Sequence, residues 1–75
     1  MKRYQRLTMR EVLQLPLRKW RKHLARAPSV DLLYYEARIE GMLRHRQMGR
    51  KILGRFELRG IAVRNEGRIR QSRGV

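Results

Sequence analysis

Residues 27–43 read "APSVDLLYYEARIEGML", and this stretch carries the strongest helix pattern in the chain. Leu32, Tyr35, Ile39 and Met42 recur at spacings of three and four residues, which places them on one face of an α-helix. The face is widened by an adjoining apolar strip of Val30, Leu33 and Ala37. This apolar arc is wide enough to contact two neighbouring elements, or one neighbour and a partner.

Local signals mark the limits of this helix. Ser29 is suited to cap its beginning, and Asp31 complements the positive end of the helix dipole. Beyond Leu43 the sequence "RHRQMGRKILGRF" contains Gly49 and Gly54, which weaken the helical pattern. We therefore predict a helix over residues 29–48.

Two shorter helices are expected before it. Thr8 and Glu11 form a capping box, which predicts a helix over residues 9–15. Pro16 cannot continue that helix, but it suits the first turn of a second helix over residues 17–27. In this second helix Leu17, Trp20, Leu24 and Ala27 share one face, so Trp20 is predicted to be buried.

The last third of the chain is ambiguous. In "RFELRGIAVRNEGRIRQ" Phe56 and Leu58 alternate with charged residues, and "NEG" can close a hairpin with Gly67 in the left-handed region. The competing interpretation is a helix that ends at Gly67. We predict a mainly α fold: one small domain over residues 1–75, with a bundle of three helices and an irregular or hairpin-like basic C-terminal region. Residues 1–7 and 68–75 are predicted to be flexible basic arms.

Charge is the most informative feature of the composition. The chain carries 20 Lys and Arg against 6 acidic residues, a net charge of +14, and 16 of the basic residues are Arg. Both ends are basic, whereas residues 28–43 carry three acids and one Arg. Such a balance favours a polyanion or an acidic protein surface as partner, and Arg pairs bidentately with phosphate.

Catalysis is poorly supported by the residues present. The chain has no Cys and only two His, and it shows neither a zinc-ligand spacing nor a glycine-rich phosphate loop. His23 lies among basic residues and is interpreted as a surface histidine. Asp31 and Glu36 diverge by more than about 100° around a helix, so they do not form a metal site with Glu40. We predict a non-enzymatic protein with no catalytic residue, no metal and no cofactor.

Nucleic acid is the expected ligand, contacted mainly through phosphates. A helix-turn-helix is disfavoured, because Asp31 and Glu36 at the start of its second helix would face the phosphates. Base stacking by exposed aromatics is assigned to Tyr4 and Tyr34, since Trp20 and Tyr35 belong to apolar faces. The predicted contacts to nucleic acid or an acidic partner are Arg18, Lys19, Arg21, Lys22, Arg26, Arg46, Arg50, Lys51 and Arg55.

In size, charge and helical build the chain resembles small phage-encoded regulators of bacterial RNA polymerase, and also small basic ribosomal proteins. No motif carries this resemblance, so no family residue is transferred. It implies a regulator or adaptor that docks on a nucleic-acid-handling machine such as RNA polymerase and touches nucleic acid. The alternative is a direct DNA- or RNA-binding protein. No signal sequence or membrane span is found in the sequence, so a cytoplasmic location, in the host if phage-encoded, is expected. A membrane-active basic peptide is disfavoured.

Overall fold

Four α-helices are present in the residues that the computed structural model describes, 4–45 and 48–73. They are α1 (Met9–Gln14), α2 (Leu17–Arg26), α3 (Ser29–Arg44) and α4 (Arg50–Arg73). The predicted mainly α fold is confirmed. The expected irregular or hairpin-like region after Gly49 is wrong, because residues 50–73 form the longest of these helices. None of these helices is both long enough and apolar enough to cross a membrane.

The beginnings of α1 and α2 follow the sequence signals. Thr8 Oγ1 accepts a hydrogen bond from the Glu11 backbone N–H at 3.2 Å, and the Glu11 carboxylate accepts one from the Thr8 N–H at 2.9 Å. This is the predicted capping box. These hydrogen bonds lower the pKa of Glu11, the backbone contribution being the larger. Pro16 stands at the N-cap of α2.

The limits of α3 differ from the prediction. Pro28 occupies the N-cap position, so Ser29 is the first helical residue and makes no capping hydrogen bond. Its hydroxyl instead accepts a long hydrogen bond of 3.4 Å from Arg70. The helix ends at Arg44, with His45 as the C-cap, rather than near Met48.

The glycines of residues 50–73 do not interrupt the helix, although the sequence pattern suggested that they would. The helix α4 passes through Gly54, Gly60 and Gly67. At Gly60 the reason is close packing: a Cβ there would lie 3.3 Å from Ile39 Cγ2 on α3. The glycine therefore lets two helices approach, and it does not mark a turn. Phe56, Ala62 and Val63 are buried on the same helix, so tertiary packing stabilises α4 despite its three glycines.

Every helix contributes to a single core. Trp20 is fully buried as predicted, and its ring meets Tyr35 of α3 edge-on at 5.0 Å. Its indole N–H donates to the carbonyl of Arg59 on α4 at 3.2 Å, so the tryptophan joins α2 to both longer helices. The largest fully buried side chains are Trp20, Tyr35, Phe56, Leu24, Ile39, Val12 and Val63.

Two arginines of α4 complete the ends of α1 and α2. Arg59, only 5% exposed, donates from Nε to the Val12 carbonyl at 2.8 Å and from Nη2 to the Leu15 carbonyl at 2.8 Å. Arg70 donates from Nη2 to the Leu24 carbonyl at 2.8 Å.

The described parts of both chain ends differ from the predicted flexible arms. At the C-terminal end, residues 68–73 belong to α4. Residues 4–7 lie against α3, where the Leu7 N–H donates to the Tyr35 hydroxyl at 2.9 Å.

Candidate nucleic-acid interface

The solvent-facing side of α2 is entirely basic or small. Trp20, Leu24 and, in the C-cap, Ala27 anchor the opposite side in the core, and α2 contains no acidic residue. The structure leaves all five predicted cations of this helix exposed: Arg18, Lys19, Arg21, Lys22 and Arg26. We call these five residues the α2 basic face. Because no carboxylate lies on the helix, its charge is not offset within the element.

A second group of cations lies on α4. Lys51, Arg55, Leu58, Ala62, Asn65 and Ile69 recur at spacings of three and four residues and so share one strip of the helix. We call these six residues the α4 strip. Its distal part lines a cavity of about 230 Å³ together with Arg21 of α2. The C-terminal part of the α4 strip therefore lies beside Arg21 of the α2 basic face, and Lys51 and Arg55 are exposed at its other end.

The α4 strip also exposes apolar side chains among its cations. Leu58 is 52% exposed and Ile69 is 45% exposed, although both lie beside charged neighbours. Arg50 is exposed at the beginning of α4, whereas Arg46 lies outside the described residues. The structure thus leaves Arg50, Lys51 and Arg55 exposed in the N-terminal part of α4, whereas Arg21 lies beside the C-terminal part of that helix.

Tyr4 and Tyr34 are not the exposed stacking residues that the sequence predicted. Both are half-buried. The Tyr4 ring lies 4.7 Å from the His23 ring, and its hydroxyl shares a 2.7 Å hydrogen bond with Tyr35. The Tyr34 ring is covered by the Arg6 guanidinium at 4.1 Å. Because both rings already have protein partners, the surface is suited to phosphate contacts rather than base stacking.

His23 is not the surface histidine that was predicted. It is half-buried, stacks on Trp20 with ring centroids 5.8 Å apart, and shares a 3.1 Å hydrogen bond with the Tyr35 hydroxyl. Burial lowers the pKa of His23, and the nearby charge of Arg26 lowers it further. His23 therefore supports the core beneath the α2 basic face and adds no charge to that face at neutral pH.

Asp31 is buried and forms an ion pair with Arg6. Its carboxylate accepts hydrogen bonds from Arg6 Nη2 at 2.8 Å and Arg6 Nε at 3.2 Å. The Arg6 guanidinium holds the pKa of Asp31 below its usual range, and Asp31 raises the pKa of Arg6 in turn. Burial and the hydrogen bond with Tyr35 raise the pKa of Tyr4. These contacts fasten residues 4–7 to α3.

Sequence reasoning missed the structural arginines Arg59 and Arg70. Burial lowers the pKa of Arg59, whose three donor groups all reach backbone carbonyls. Arg70 also pairs with Glu66 at 3.0 Å. The sequence signal for this role was the proline that follows each of α1 and α2. Proline has no N–H, so the helical carbonyl four residues before it lacks its usual donor.

No cluster of three or more metal-ligating residues occurs within 4–45 and 48–73. Comparison of the whole chain with protein-family models, with curated proteins and with solved structures finds no match. The proposed function therefore rests on the geometry and charge of the described residues.

Proposed function

We propose that this protein is a non-enzymatic regulator or adaptor that contacts nucleic-acid phosphates and docks on a nucleic-acid-handling machine of the RNA polymerase type. The exposed α2 basic face supports the proposed contact with nucleic acid. It presents an unbroken positive surface on a rigid helix that Trp20 fixes to the core. Such a surface attracts a polyanion and contacts it without reading sequence.

The docking part is supported by Leu58 and Ile69. Apolar side chains gain nothing from contact with phosphates, yet these two are about half exposed on the α4 strip, beside Arg55 and Arg21. An acidic protein surface with an apolar centre would pair with the cations and cover both apolar residues. This arrangement favours an adaptor over a protein that binds DNA or RNA alone.

Charge reversal on α2 tests the nucleic-acid contact. Lys19→Glu with Lys22→Glu should weaken binding to duplex DNA and to single-stranded RNA, measured by fluorescence anisotropy, because both lysines point away from the core. A matched control reverses Arg38 and Arg44, which are exposed on α3. Equal losses in the two double variants would mean that only net charge matters, and the α2 assignment would be wrong.

A capture experiment tests the docking contact. The tagged chain should retain a protein partner from lysate after nuclease treatment and at about 0.5 M salt, where the Debye length is only a few ångströms. Leu58→Ser with Ile69→Ser should lose that partner but keep affinity for purified nucleic acid. Loss of all captured protein on nuclease treatment of the wild-type sample would instead support a direct nucleic-acid-binding protein.

A further inference from the structure

A groove follows the seam between α3 and α4. It comprises two adjoining cavities of about 390 and 310 Å³, which share Glu36 and Arg64 in their walls. Leu33 and Ile61 line it and remain 68% and 51% exposed, so its apolar surface is not covered within the chain. Exposed apolar surface of this kind on a small domain marks an interaction site.

The two ends of this α3–α4 groove carry opposite charge. Glu40 and Glu57 line one end, and Arg68 and Arg70 line the other. With Glu36, the groove holds three of the chain's six acidic residues, although the net charge is +14. The groove is therefore electrically polar along its length, in contrast to the uniformly positive α2 basic face.

The charge pattern is self-complementary along α4. Glu57, Ile61, Arg64 and Arg68 recur at spacings of four, three and four residues, the spacing of a helix–helix seam. In an antiparallel pairing centred between residues 62 and 63, Glu57 stands opposite Arg68, and Ile61 stands opposite Arg64. Arg64 lies 3.8 Å from Glu40 of its own chain, so its charge is partly offset while its aliphatic part can cover Ile61.

We propose that a second copy of this chain occupies the α3–α4 groove in an antiparallel, two-fold symmetric dimer. Glu57 of each copy pairs with Arg68 of the other, and the exposed Leu33 and Ile61 are covered. The opposite orientation would place like-charged ends together and is disfavoured. A two-fold axis repeats every contact, so one complementary pair of residues supplies two ion pairs.

This inference does not depend on the proposed function, since the dimer forms without nucleic acid. The repulsion between two chains of +14 opposes it at low ionic strength. At about 0.3 M salt the Debye length falls to roughly 6 Å, which screens the long-range repulsion more than contacts at the interface. The dimer would present two α2 basic faces and thereby increase the avidity for a polyanion.

Sedimentation equilibrium of the nucleic-acid-free protein at that ionic strength tests the proposal. The wild-type chain should show a monomer–dimer equilibrium. Glu57→Arg and Arg68→Glu should each raise the dimer dissociation constant by about tenfold or more, because each places like charges opposite one another. An equimolar mixture of the two variants should restore dimerisation, since their charges are then complementary.

Arg55→Glu is the matched control, because it makes the same charge change as Arg68→Glu on the α4 strip, outside the groove. It should dimerise at least as well as wild type, and circular dichroism should show equal helicity for all variants. A wild-type chain that stays monomeric at its highest soluble concentration would overturn the proposal. So would a mixture that fails to restore the dimer, or an Arg55→Glu variant that is as defective as Arg68→Glu.

Discussion

Arg59 donates to the carbonyl of Val12, whose usual helical partner four residues later is Pro16 and has no N–H. The same relationship recurs one helix later. Arg70 donates to the carbonyl of Leu24, and the residue four positions on is Pro28. Both prolines of the chain thus end a helix whose last carbonyls are completed by an arginine of α4.

Arg59→Met should lower the free energy of unfolding by about 3 kcal/mol, because it removes the donors to the buried Val12 carbonyl and the part-buried Leu15 carbonyl. Urea denaturation followed by circular dichroism measures this. Arg55→Met removes an exposed charge one turn earlier on α4 and should change the stability by less than about 0.5 kcal/mol. Similar effects from the two substitutions would contradict the capping role of Arg59.

Trp20→Ala should lower the free energy of unfolding by about 3–5 kcal/mol, enough to unfold a domain of this size. Trp20→Phe keeps most of the packing but removes the indole N–H that reaches the Arg59 carbonyl, and it should cost about 1–3 kcal/mol. Thermal unfolding distinguishes the two variants. A wild-type melting temperature in Trp20→Ala would move the tryptophan from the core to the binding surface.

Stability should fall as the pH drops through the usual His23 value of 6.5. The folded-state pKa of His23 is lowered, so below 6.5 the unfolded chain binds more protons than the native one, and stability rises with pH. Thermal melts across this range measure the effect. His23→Gln should flatten the dependence, and an unchanged pH profile in that variant would assign it to another group.

Gly54→Ala should stabilise the protein by about 0.5–1 kcal/mol, because an added Cβ meets no atom within 4 Å and alanine favours helix. Gly60→Ala should gain less or should destabilise, since Ile39 must move to admit the new methyl group. Chemical denaturation compares the pair. Equal stabilisation at both positions would show that α3 and α4 do not approach closely at Gly60.

The first three helices could be predicted because their signals are local. The Thr8–Glu11 capping box, the proline at position 16 and the apolar spacing around Trp20 act over one or two turns. The helix over residues 50–73 could not be predicted in this way, because Gly60 permits a close contact with Ile39 of α3, more than a dozen residues away in sequence. Phe56 and Leu58 appeared to alternate as in a strand, whereas only Phe56 is buried.

The candidate interface was predictable in part for the same reason. Helical spacing alone places Arg18 and Lys22 opposite Trp20 and Lys19 and Arg21 to either side of it, and the structure leaves all four exposed. Tyr4 hydrogen-bonds to Tyr35, which lies far along the chain. Tyr34 is covered by Arg6, whose position depends on how residues 4–7 fold back. No periodicity reveals the pairing of Arg6 with Asp31 or the 2.7 Å hydrogen bond between Tyr4 and Tyr35.

The salt dependence of nucleic-acid binding tests the central claim most directly. On duplex DNA the logarithm of the association constant falls with the logarithm of salt concentration by about 0.9 per phosphate contact. The wild-type chain should give a steep slope, and Lys19→Glu with Lys22→Glu should make it shallower by about 2, one unit per lost contact. Identical slopes for the two proteins would contradict the account, because Lys19 and Lys22 of the α2 basic face would then make no phosphate contacts.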